Sequence, residues 1–342
     1  MSTRRKSQFL KVVIVILISL VVQGACYSVL WAKDNAIVWR MNCSYAPQGY
    51  IADAFNYFAD EVERRSNGDL VVEVYYNSSL GFPNTACLTS LKKNKVELSE
   101  IQGGSMDSEE PMGAVINLPL LHNNMEEAID WQINQYAPVL NQTIASKWKS
   151  NIISCVSLPA PIEFFSKKPI RTLDDLKGEK IRCWGGIPGE ALAALGANPF
   201  TITTAELYTA LQRGMVSAAI TSYISASECH FWEVLNYIDH IVLSNNMVFI
   251  AVNNQAFSKL SDNLKTAVIN SGEATTSWAK ENRLIYTEKL KNILLDGGMK
   301  EIWPESGEVE KMRLKCKPIY KKFITKICPE AEPLLRQLGA LK

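Results

Sequence analysis

Residues suited to binding a small solute concentrate between positions 167 and 238. Two stretches in this region, residues 180–184 and 215–222, are typical of strands, and the second is apolar enough to be buried. The ends of these strands carry Arg182, Trp184, Thr221, Ser222 and Tyr223. Ligands of open α/β sheets bind beyond the carboxyl ends of the strands, so this spacing predicts a ligand site at that edge.

Arg182 has the most specific chemistry of this group. A guanidinium is a planar fork of fixed donors that stays charged, and it matches a carboxylate better than a lysine does. The alternative is a surface or inter-strand arginine. Trp184 and Tyr223 could stack on a ligand or form its wall, or they could pack inside a lobe. The hydroxyls of Thr221 and Ser222 can both donate and accept hydrogen bonds.

Local signals predict the elements that position these residues. Thr203 followed by Glu206 indicates the start of a helix, and Gly214 indicates its left-handed end. Three glycines at positions 185, 186 and 189 predict a loop that backbone or ligand can approach closely. The segment HFWEVLNYI has helical spacing, which makes Trp232 a core residue rather than a ligand contact.

An internal echo predicts two similar lobes. Residues 89–96 (TSLKKNKV) match residues 209–216 (TALQRGMV), and each segment is typical of a helix end, a left-handed stop and a buried strand. The alternative is that any α/β unit has this pattern. Prolines 159 and 161 predict a first crossover between lobes, and a second is expected just before residue 247.

These crossovers divide the chain into lobes. Lobe 1 is predicted to contain residues 33–158 and about 246–280, and lobe 2 residues 159–245 and about 281–342. Residues 261–296 contain no proline and one glycine, and their apolar spacing is helical. A continuous helix of that length would span roughly 54 Å, enough to run behind both lobes.

Composition limits the function classes. The 342 residues carry a net charge of +1, which gives no basic field for nucleic acid. Residues 1–32 are typical of a signal peptide, with a basic start and an apolar core, so we expect an exported, soluble protein. Cleavage after Ala32 is our expectation; lipid attachment at Cys26 and an uncleaved anchor stay open.

No CxxC pair occurs among the eight cysteines, and Cys316 could pair with Cys328 only if a turn separates them.

The region 167–238 resembles the substrate-binding proteins of tripartite ATP-independent periplasmic (TRAP) transporters, the DctP-type family. The matching phrases are KPIRTLDDLKGEKIR, LGANPF and ELYTALQRG, with FADEVERRSNGDLVVEVYYNSSLG and INLPLL earlier in the chain. The resemblance implies an α/β, two-lobed periplasmic-binding-protein-like fold, with the long helix spanning both lobes. It also implies capture of a small organic acid in the periplasm and delivery to TRAP transporter membrane subunits.

The same resemblance assigns roles to individual residues. It implies a bidentate contact between Arg182 and the substrate carboxylate, and pocket positions for Thr204, Thr221 and Ser222. Tyr45 and Gln102 are expected to contact the ligand from the opposite lobe.

Two departures from the family pattern affect the expected ligand. Some members carry a second arginine shortly before the KPI motif, whereas this chain supplies Glu163 there and no arginine. The family often has Asp-Gly where this chain has Ser217-Ala218. The first departure favours a monocarboxylate, or a ligand with a cationic or hydroxyl-rich end, over a dianion. Whether Glu163 contacts the ligand stays open.

Two other functional classes remain. An enzyme on the same scaffold is disfavoured, because the three histidines follow no nucleophile signature and the Glu228-Cys229-His230 cluster does not converge on one point. A sensory ligand-binding module cannot be separated from a transport protein by sequence. We expect a monomer with neither a cofactor nor a metal.

Overall fold

The computed structural model describes residues 36–341, so the predicted signal peptide at residues 1–32 and Cys26 lie outside the described residues. Two sheets and the surrounding helices form the fold. The strands are β1 (Ile37–Asn42), β2 (Leu70–Tyr75), β3 (Leu98–Gln102), β4 (Ser150–Ser157), β5 (Ile162–Ser166), β6 (Lys180–Cys183), β7 (Asn198–Thr201), β8 (Ala218–Thr221), β9 (Tyr237–Ser244), β10 (Met247–Asn253) and β11 (Lys300–Ile302). The α-helices are α1 (Tyr50–Arg65), α2 (Cys87–Lys92), α3 (Met125–Trp131), α4 (Ala137–Trp148), α5 (Gly186–Ala194), α6 (Thr204–Gln212), α7 (Tyr223–Glu228), α8 (Asn254–Ser258), α9 (Asp262–Asp296), α10 (Glu308–Lys326) and α11 (Glu332–Gln337).

The first sheet has the strand order β2-β1-β3-β10-β4. Strands β1, β2 and β3 pair in parallel, and β10 is antiparallel to both β3 and β4. All seven residues of β10 are buried, as expected for a central strand covered on both faces. One hydrophobic core of this sheet contains Met41, Phe55, Phe58, Val248 and Val268.

The second sheet has the order β11-β9-β5-β8-β6-β7. Strands β6, β7 and β8 are parallel, and β5 is antiparallel to β8 and β9. Its core on one face contains Phe165, Leu207, Leu211 and Ile238.

The two sheets repeat one local arrangement. In the first sheet β1 lies between β2 and β3, and in the second β6 lies between β7 and β8. In each sheet, two later strands lie on opposite sides of the first parallel strand. The strand order therefore changes direction at β1 in one sheet and at β6 in the other. The echoed segments 89–96 and 209–216 precede β3 and β8, the equivalent strands of the two sheets. Such switch points leave a crevice at the carboxyl ends of the strands.

The chain crosses between the sheets where the sequence predicted. Strand β4 of the first sheet leads through residues 158–161 to β5 of the second, and β9 returns through Asn245 and Asn246 to β10. The predicted two-lobed α/β fold is confirmed, with one sheet in each lobe.

Helix α9 extends over 35 residues and contacts both lobes, as predicted. Ser261 caps its start by accepting a hydrogen bond from the backbone N–H of Leu264. In the first lobe Gly272 lies against β4, because a Cβ there would be 2.0 Å from the backbone oxygen of Ile153. In the second lobe, a Cβ at Gly297 would be 2.3 Å from the Trp232 ring.

Other contacts tie α9 more closely to each lobe. The Tyr50 hydroxyl of α1 donates to the carbonyl of Ala279, 2.8 Å away. Thr287 donates to the carbonyl of Pro159 in the first crossover. The helix is therefore attached to the lobes and to the segment between them.

The predicted loop at glycines 185–189 is wrong, because α5 begins at Gly186. Of these three glycines, Gly185 and Gly186 have positive φ, 101° and 56°, and Gly189 does not. Pro188 lies in the first helical turn, where a missing N–H costs little, and the following residues ALAA favour a helix.

Two further local predictions are wrong. Pro138 does not separate two helices, since α3 continues through a π-helical segment, Gln132–Tyr136, into the first turn of α4. The segment HFWEVLNYI forms only a 3₁₀ turn, Phe231–Glu233, and then enters β9. Trp232 is half-buried and stacks on His230 with ring centroids 4.8 Å apart.

The C-terminal helix α10 contacts segments assigned to both predicted lobes. Arg313 Nε donates to the carbonyl of Leu120 at 2.9 Å, and the Tyr320 hydroxyl donates to Pro119. Leu120 itself donates to Leu243 of β9 at 2.7 Å. The neighbourhood of Leu120 thus lies against the second sheet, and the exact lobe limits remain a prediction.

Cys316 and Cys328 are both buried and free, so the pairing considered from the sequence does not form. Cys316 lies inside α10, and Cys328 follows after the helix has ended at Lys326. Within residues 36–341, no helix combines the length and apolar character needed to span a membrane.

Candidate functional site

A cavity of about 410 Å³ lies where the carboxyl ends of the two sets of parallel strands meet. It is lined by residues that follow β1 and β3 of the first sheet and β6 and β8 of the second, together with both crossovers. The lining residues are Ser44, Tyr45, Asn84, Gln102, Gly104, Ser105, Leu158, Ile162, Arg182, Trp184, Thr204, Thr221, Ser222, Ile224, Ser225, Glu228 and Asn246. This volume falls within the range of small-molecule sites.

Arg182 is the only cationic residue among the described residues that line this cavity. It lies on β6, paired in register with Phe200 of β7 and Ala219 of β8, and it is 3% exposed. Its Nε donates to the carbonyl of Ile202 at 2.8 Å, and its Nη2 to Thr204 Oγ1 at 3.4 Å. Burial lowers the pKa of the guanidinium, but an arginine keeps its charge.

No carboxylate among the described residues pairs with Arg182. A buried charge without a counter-ion is costly, because desolvation is not offset by an opposite charge. The two neutral contacts leave Nη1 with no protein partner in the described part of the chain. The guanidinium is thus held in place and keeps donors available for an anion.

Hydroxyls surround the arginine in the second lobe. Thr221 ends β8, and Ser222 caps α7 by accepting a hydrogen bond from the N–H of Ser225. Thr204 is the first residue of α6, whose cap, Thr203, donates to Glu206 at 2.8 Å. These side chains can therefore donate to or accept from a polar solute.

The first lobe supplies amides and a phenol. Asn84 Nδ2 donates to Ser105 Oγ at 3.1 Å, and Ser105 Oγ donates to Gln102 Oε1 at 3.0 Å. This chain of bonds fixes the Gln102 side chain at the end of β3. Tyr45 follows β1, and burial raises its pKa well above its usual value, so the phenol stays neutral.

A buried carboxyl lies behind the first-lobe wall. Glu100 on β3 is fully buried and accepts a hydrogen bond from Ser44, which lines the cavity. Burial raises the pKa of Glu100 to about 7. Its Oε2 has no hydrogen-bond partner among the described residues, so Glu100 carries its proton more readily than an exposed glutamate.

Glu228 at the end of α7 is the only acidic residue among the described lining residues. Its side chain forms no ion pair or hydrogen bond within residues 36–341, and partial burial raises its pKa. It lies at the exposed side of the cavity. The apolar part of the lining consists of Leu158, Ile162 and Ile224, with the indole of Trp184.

Comparisons with known proteins agree with this architecture. The family model described as bacterial extracellular solute-binding protein, family 7, matches residues 43–326. The chain belongs to this family. The resemblance to TRAP solute-binding proteins inferred from the sequence motifs is thereby confirmed.

Relatives of this solute-binding protein share its length. A solute-binding protein of Chromohalobacter salexigens is 24% identical over 307 residues, 88% of this chain and 87% of the relative. The crystal structure of a Bordetella pertussis extracytoplasmic solute receptor binding pyroglutamic acid has a TM-score of 0.76 at 22% identity, and covers 89% of this chain and all of that one. A TRAP periplasmic solute-binding protein of C. salexigens with bound D-glucuronate has a TM-score of 0.78 at 20% identity, with coverages of 89% and 100%.

The structure of the solute-binding protein brings seven of the nine predicted site residues to one cavity. They are Arg182, Trp184, Thr204, Thr221, Ser222, Tyr45 and Gln102. Residues from both lobes meet there, as the predicted ligand clamp requires. That these side chains contact the solute remains a prediction.

Tyr223 and Glu163 do not line the cavity. Tyr223 is 4% exposed and packs edge-on against Phe165, with ring centroids 6.0 Å apart. Glu163 Oε1 lies 3.3 Å from His240 Nδ1, and His240 Nε2 lies 3.0 Å from Glu301 Oε1. Glu163 therefore belongs to an ionic cluster inside the second lobe. Its neighbour Ile162 lines the cavity instead, because successive strand residues face opposite sides.

Several lining residues were not predicted, and some of them had a detectable signal. Ile224, Ser225 and Glu228 follow the predicted residue Thr221 by three, four and seven positions, a spacing typical of one helix face. Asn84 and Asn246 lie in connections and had no periodic signal. Groups of three or more potential metal ligands are absent among the described residues.

Proposed function

We propose that this protein binds a small organic acid through its carboxylate, without converting it chemically, and delivers it to a TRAP-type membrane complex. The observation that carries the proposal is Arg182, a buried cation in a cavity with no carboxylate partner among the described residues. A bidentate pair with a solute carboxylate would supply that counter-ion and two charge-assisted hydrogen bonds.

The lining supports an acid with a single carboxylate. Arg182 is the only cation among the described lining residues, and Ile162 and Leu158 add apolar surface. Glu228 at the exposed side would repel a second negative charge. The remaining wall of hydroxyls and amides suits a solute with several neutral polar groups.

The solutes in related structures fit this class. Pyroglutamic acid and D-glucuronate, bound in the two structural relatives, are both monocarboxylic acids. The family description places its members outside the cytoplasm, and residues 1–32 of this chain have the pattern of a signal peptide. We therefore propose a soluble periplasmic form that starts near Lys33. N-terminal sequencing that found Met1, or lipid on Cys26, would contradict it.

A thermal-shift screen tests the proposed function. Each acid is screened beside its primary amide, which keeps the shape and removes the charge. A ligand that binds only the native state stabilises it by RT ln(1 + [L]/Kd), so the melting temperature rises with the logarithm of ligand concentration above Kd. We expect at least one monocarboxylate to raise it and the paired amide to fail. Equal shifts with acid and amide, or none with any acid, would contradict carboxylate recognition.

A further inference from the structure

A second cavity of about 250 Å³ adjoins the main cavity and shares Trp184 with it. We call it the side cavity, and its lining residues are Asn84, Thr85, Gly104, Ser105, Asp107, Asn117, Trp184, Gly185, Gly186, Ile187 and Pro188. Like the main cavity, it takes residues from both lobes. None of the predicted site residues except Trp184 lies in it.

The two cavities share part of their walls. Asn84, Gly104, Ser105 and Trp184 line both. The indole of Trp184, which follows Arg182 by two residues, is thus common to the main and side cavities. A solute whose carboxylate pairs with Arg182 would pass this ring before entering the side cavity. A flat indole offers an apolar face against which a ring can pack.

The side cavity has unsatisfied polar groups. Asn117 is 3% exposed, and its Oδ1 has no hydrogen-bond partner among the described residues. The Asn117 amide lies against the shared wall, because a Cβ on Gly104 would be 3.1 Å from that oxygen. Across the cavity, α5 begins after Gly185 without a side-chain cap, so backbone N–H groups at its start are available.

The charge of the side cavity differs from that of the main one. Asp107 is exposed and unpaired within the described residues, and no cation lines the side cavity there. A second carboxylate on the solute would meet this negative charge without compensation. A hydroxyl, which both donates and accepts, can bond to Asn117 Oδ1 and also to the backbone N–H groups of α5.

We propose that the solute extends past Trp184 and places an uncharged, hydroxylated unit in the side cavity. The ligand class is then an acid larger than one sugar ring: a carboxylate head at Arg182 and a neutral glycosyl extension. This inference rests on the proposed function and narrows its solute.

Matched acids with and without the extension test the proposal. Gluconate is compared with its glycosides lactobionate, maltobionate and cellobionate, and glucuronate with its glucosides, by calorimetry on the mature protein. At least one extended acid should bind ten or more times more tightly than its parent. If short acids bind and no extension improves affinity, the side cavity is not a subsite. If none of these acids binds although the thermal-shift screen yields another carboxylate, only this inference is overturned. If no acid binds in either experiment, the proposed function is overturned as well.

A blocking variant locates the effect. Thr85 is exposed, and it lines the side cavity but not the main cavity. Thr85→Trp should therefore fill the side cavity and leave the main cavity intact. We expect at least a tenfold loss for the extended acid and less than a twofold change for its parent. Thr266→Trp, at an exposed position of α9, should change neither. Equal losses of affinity for both acids, or no loss for the extended acid, would overturn the assignment of the side cavity as a subsite. The comparison of acids on the wild-type protein tests the proposal even if the variant does not fold.

Discussion

Two charged residues line the main cavity. Arg182 is a buried cation, which in the proposed function attracts one carboxylate, whereas Glu228 lies at the exposed side of the cavity. An attractive and a repulsive element together give selectivity, because specificity is a difference between two binding free energies. The pair should therefore favour monocarboxylates over dicarboxylates of the same length.

Glu228→Gln tests this selectivity. Gluconate and glucarate differ only in the second carboxylate, so their affinity ratio isolates it. The variant should reduce the preference for gluconate by about 1 kcal/mol, roughly fivefold, since one partly screened repulsion is removed. Calorimetry measures both affinities, with Glu281→Gln on the exposed face of α9 as the control. An unchanged ratio in the Glu228 variant would show that this carboxylate does not affect selection.

Glu100 predicts a pH dependence of stability. Its pKa is raised to about 7 in the folded protein, from an ordinary value of 4.5. Between these values the folded state holds a proton that the unfolded chain releases, so this contribution to stability falls as pH rises from 4.5 to 7 and then levels off. Glu100→Gln should flatten this part of the profile and stabilise the protein at pH 8 by on the order of 2 kcal/mol.

Denaturant unfolding at several pH values measures this effect, with Glu281→Gln as a matched control. In the Glu100→Gln variant, the stability should still fall with pH, but less steeply, because burial raises the pKa of Asp239 to about 6 in the folded protein. A variant profile parallel to that of the wild type would show that Glu100 does not titrate in this range.

The ends of the strands were predictable from the sequence, but the direction of every side chain was not. Arg182 and Thr221 were predictable because each ends a strand whose position is fixed by glycines and apolar runs. Glu163 does not line the cavity and its neighbour Ile162 does, since a shift of one residue reverses the face of a strand. Tyr223 follows the cap residue Ser222, where the chain turns into α7 and no strand alternation applies.

Among the helices and strands, α9 was the most predictable in its length, but its packing against β4 was not predictable. Its length without proline indicated one continuous helix, but its close approach to β4 at Gly272 depends on tertiary packing that no local pattern encodes. Strands β5, β7 and β9 were missed for the same reason, because pairing within the second sheet outweighs local propensity. Helix α5 was missed because its nearby glycines indicated a loop, although ALAA favours a helix.

Gly272→Ala should destabilise the protein, although alanine is normally the better helix former. The new Cβ would meet the backbone oxygen of Ile153 at 2.0 Å, and overpacking typically costs about 1–3 kcal/mol. Gly189→Ala inside α5 is the matched control, because its Cβ would make its nearest contact, with Cys183 Sγ, at 3.4 Å. That control should gain up to about 1 kcal/mol from helix propensity. Thermal unfolding in which both variants gain stability would contradict the close helix–strand contact.

At the scale of the whole molecule, the repeated strand arrangement explains the cleft. Each lobe places its switch point at the same cavity, and three connections, residues 158–161, residues 245–246 and α9, join the lobes. The crossovers were predictable from prolines and buried strands. The limits of the lobes remain a prediction, and α10 bonds to residues 119 and 120 from far along the chain.

Closure of the lobes around the solute is the expected mechanical response. A ligand that contacts both lobes binds the closed form preferentially and shifts the equilibrium toward it. Small-angle scattering should show a smaller radius of gyration with a saturating acid than without it. Identical curves would indicate a preformed site, and the clamp mechanism would be wrong even if the ligand were right.

The central claim is that the buried guanidinium of Arg182 binds the solute carboxylate, and calorimetry of an acid from the screen on Arg182 variants tests it most directly. Arg182→Lys keeps the charge but loses the fork, and Arg182→Ala loses both; the control is Arg336→Lys on the exposed face of α11. We predict that Arg182→Ala costs about 2–5 kcal/mol of binding free energy, roughly 30-fold or more, with a smaller but clear loss for lysine. Wild-type affinity in a folded Arg182→Ala protein would contradict the claim.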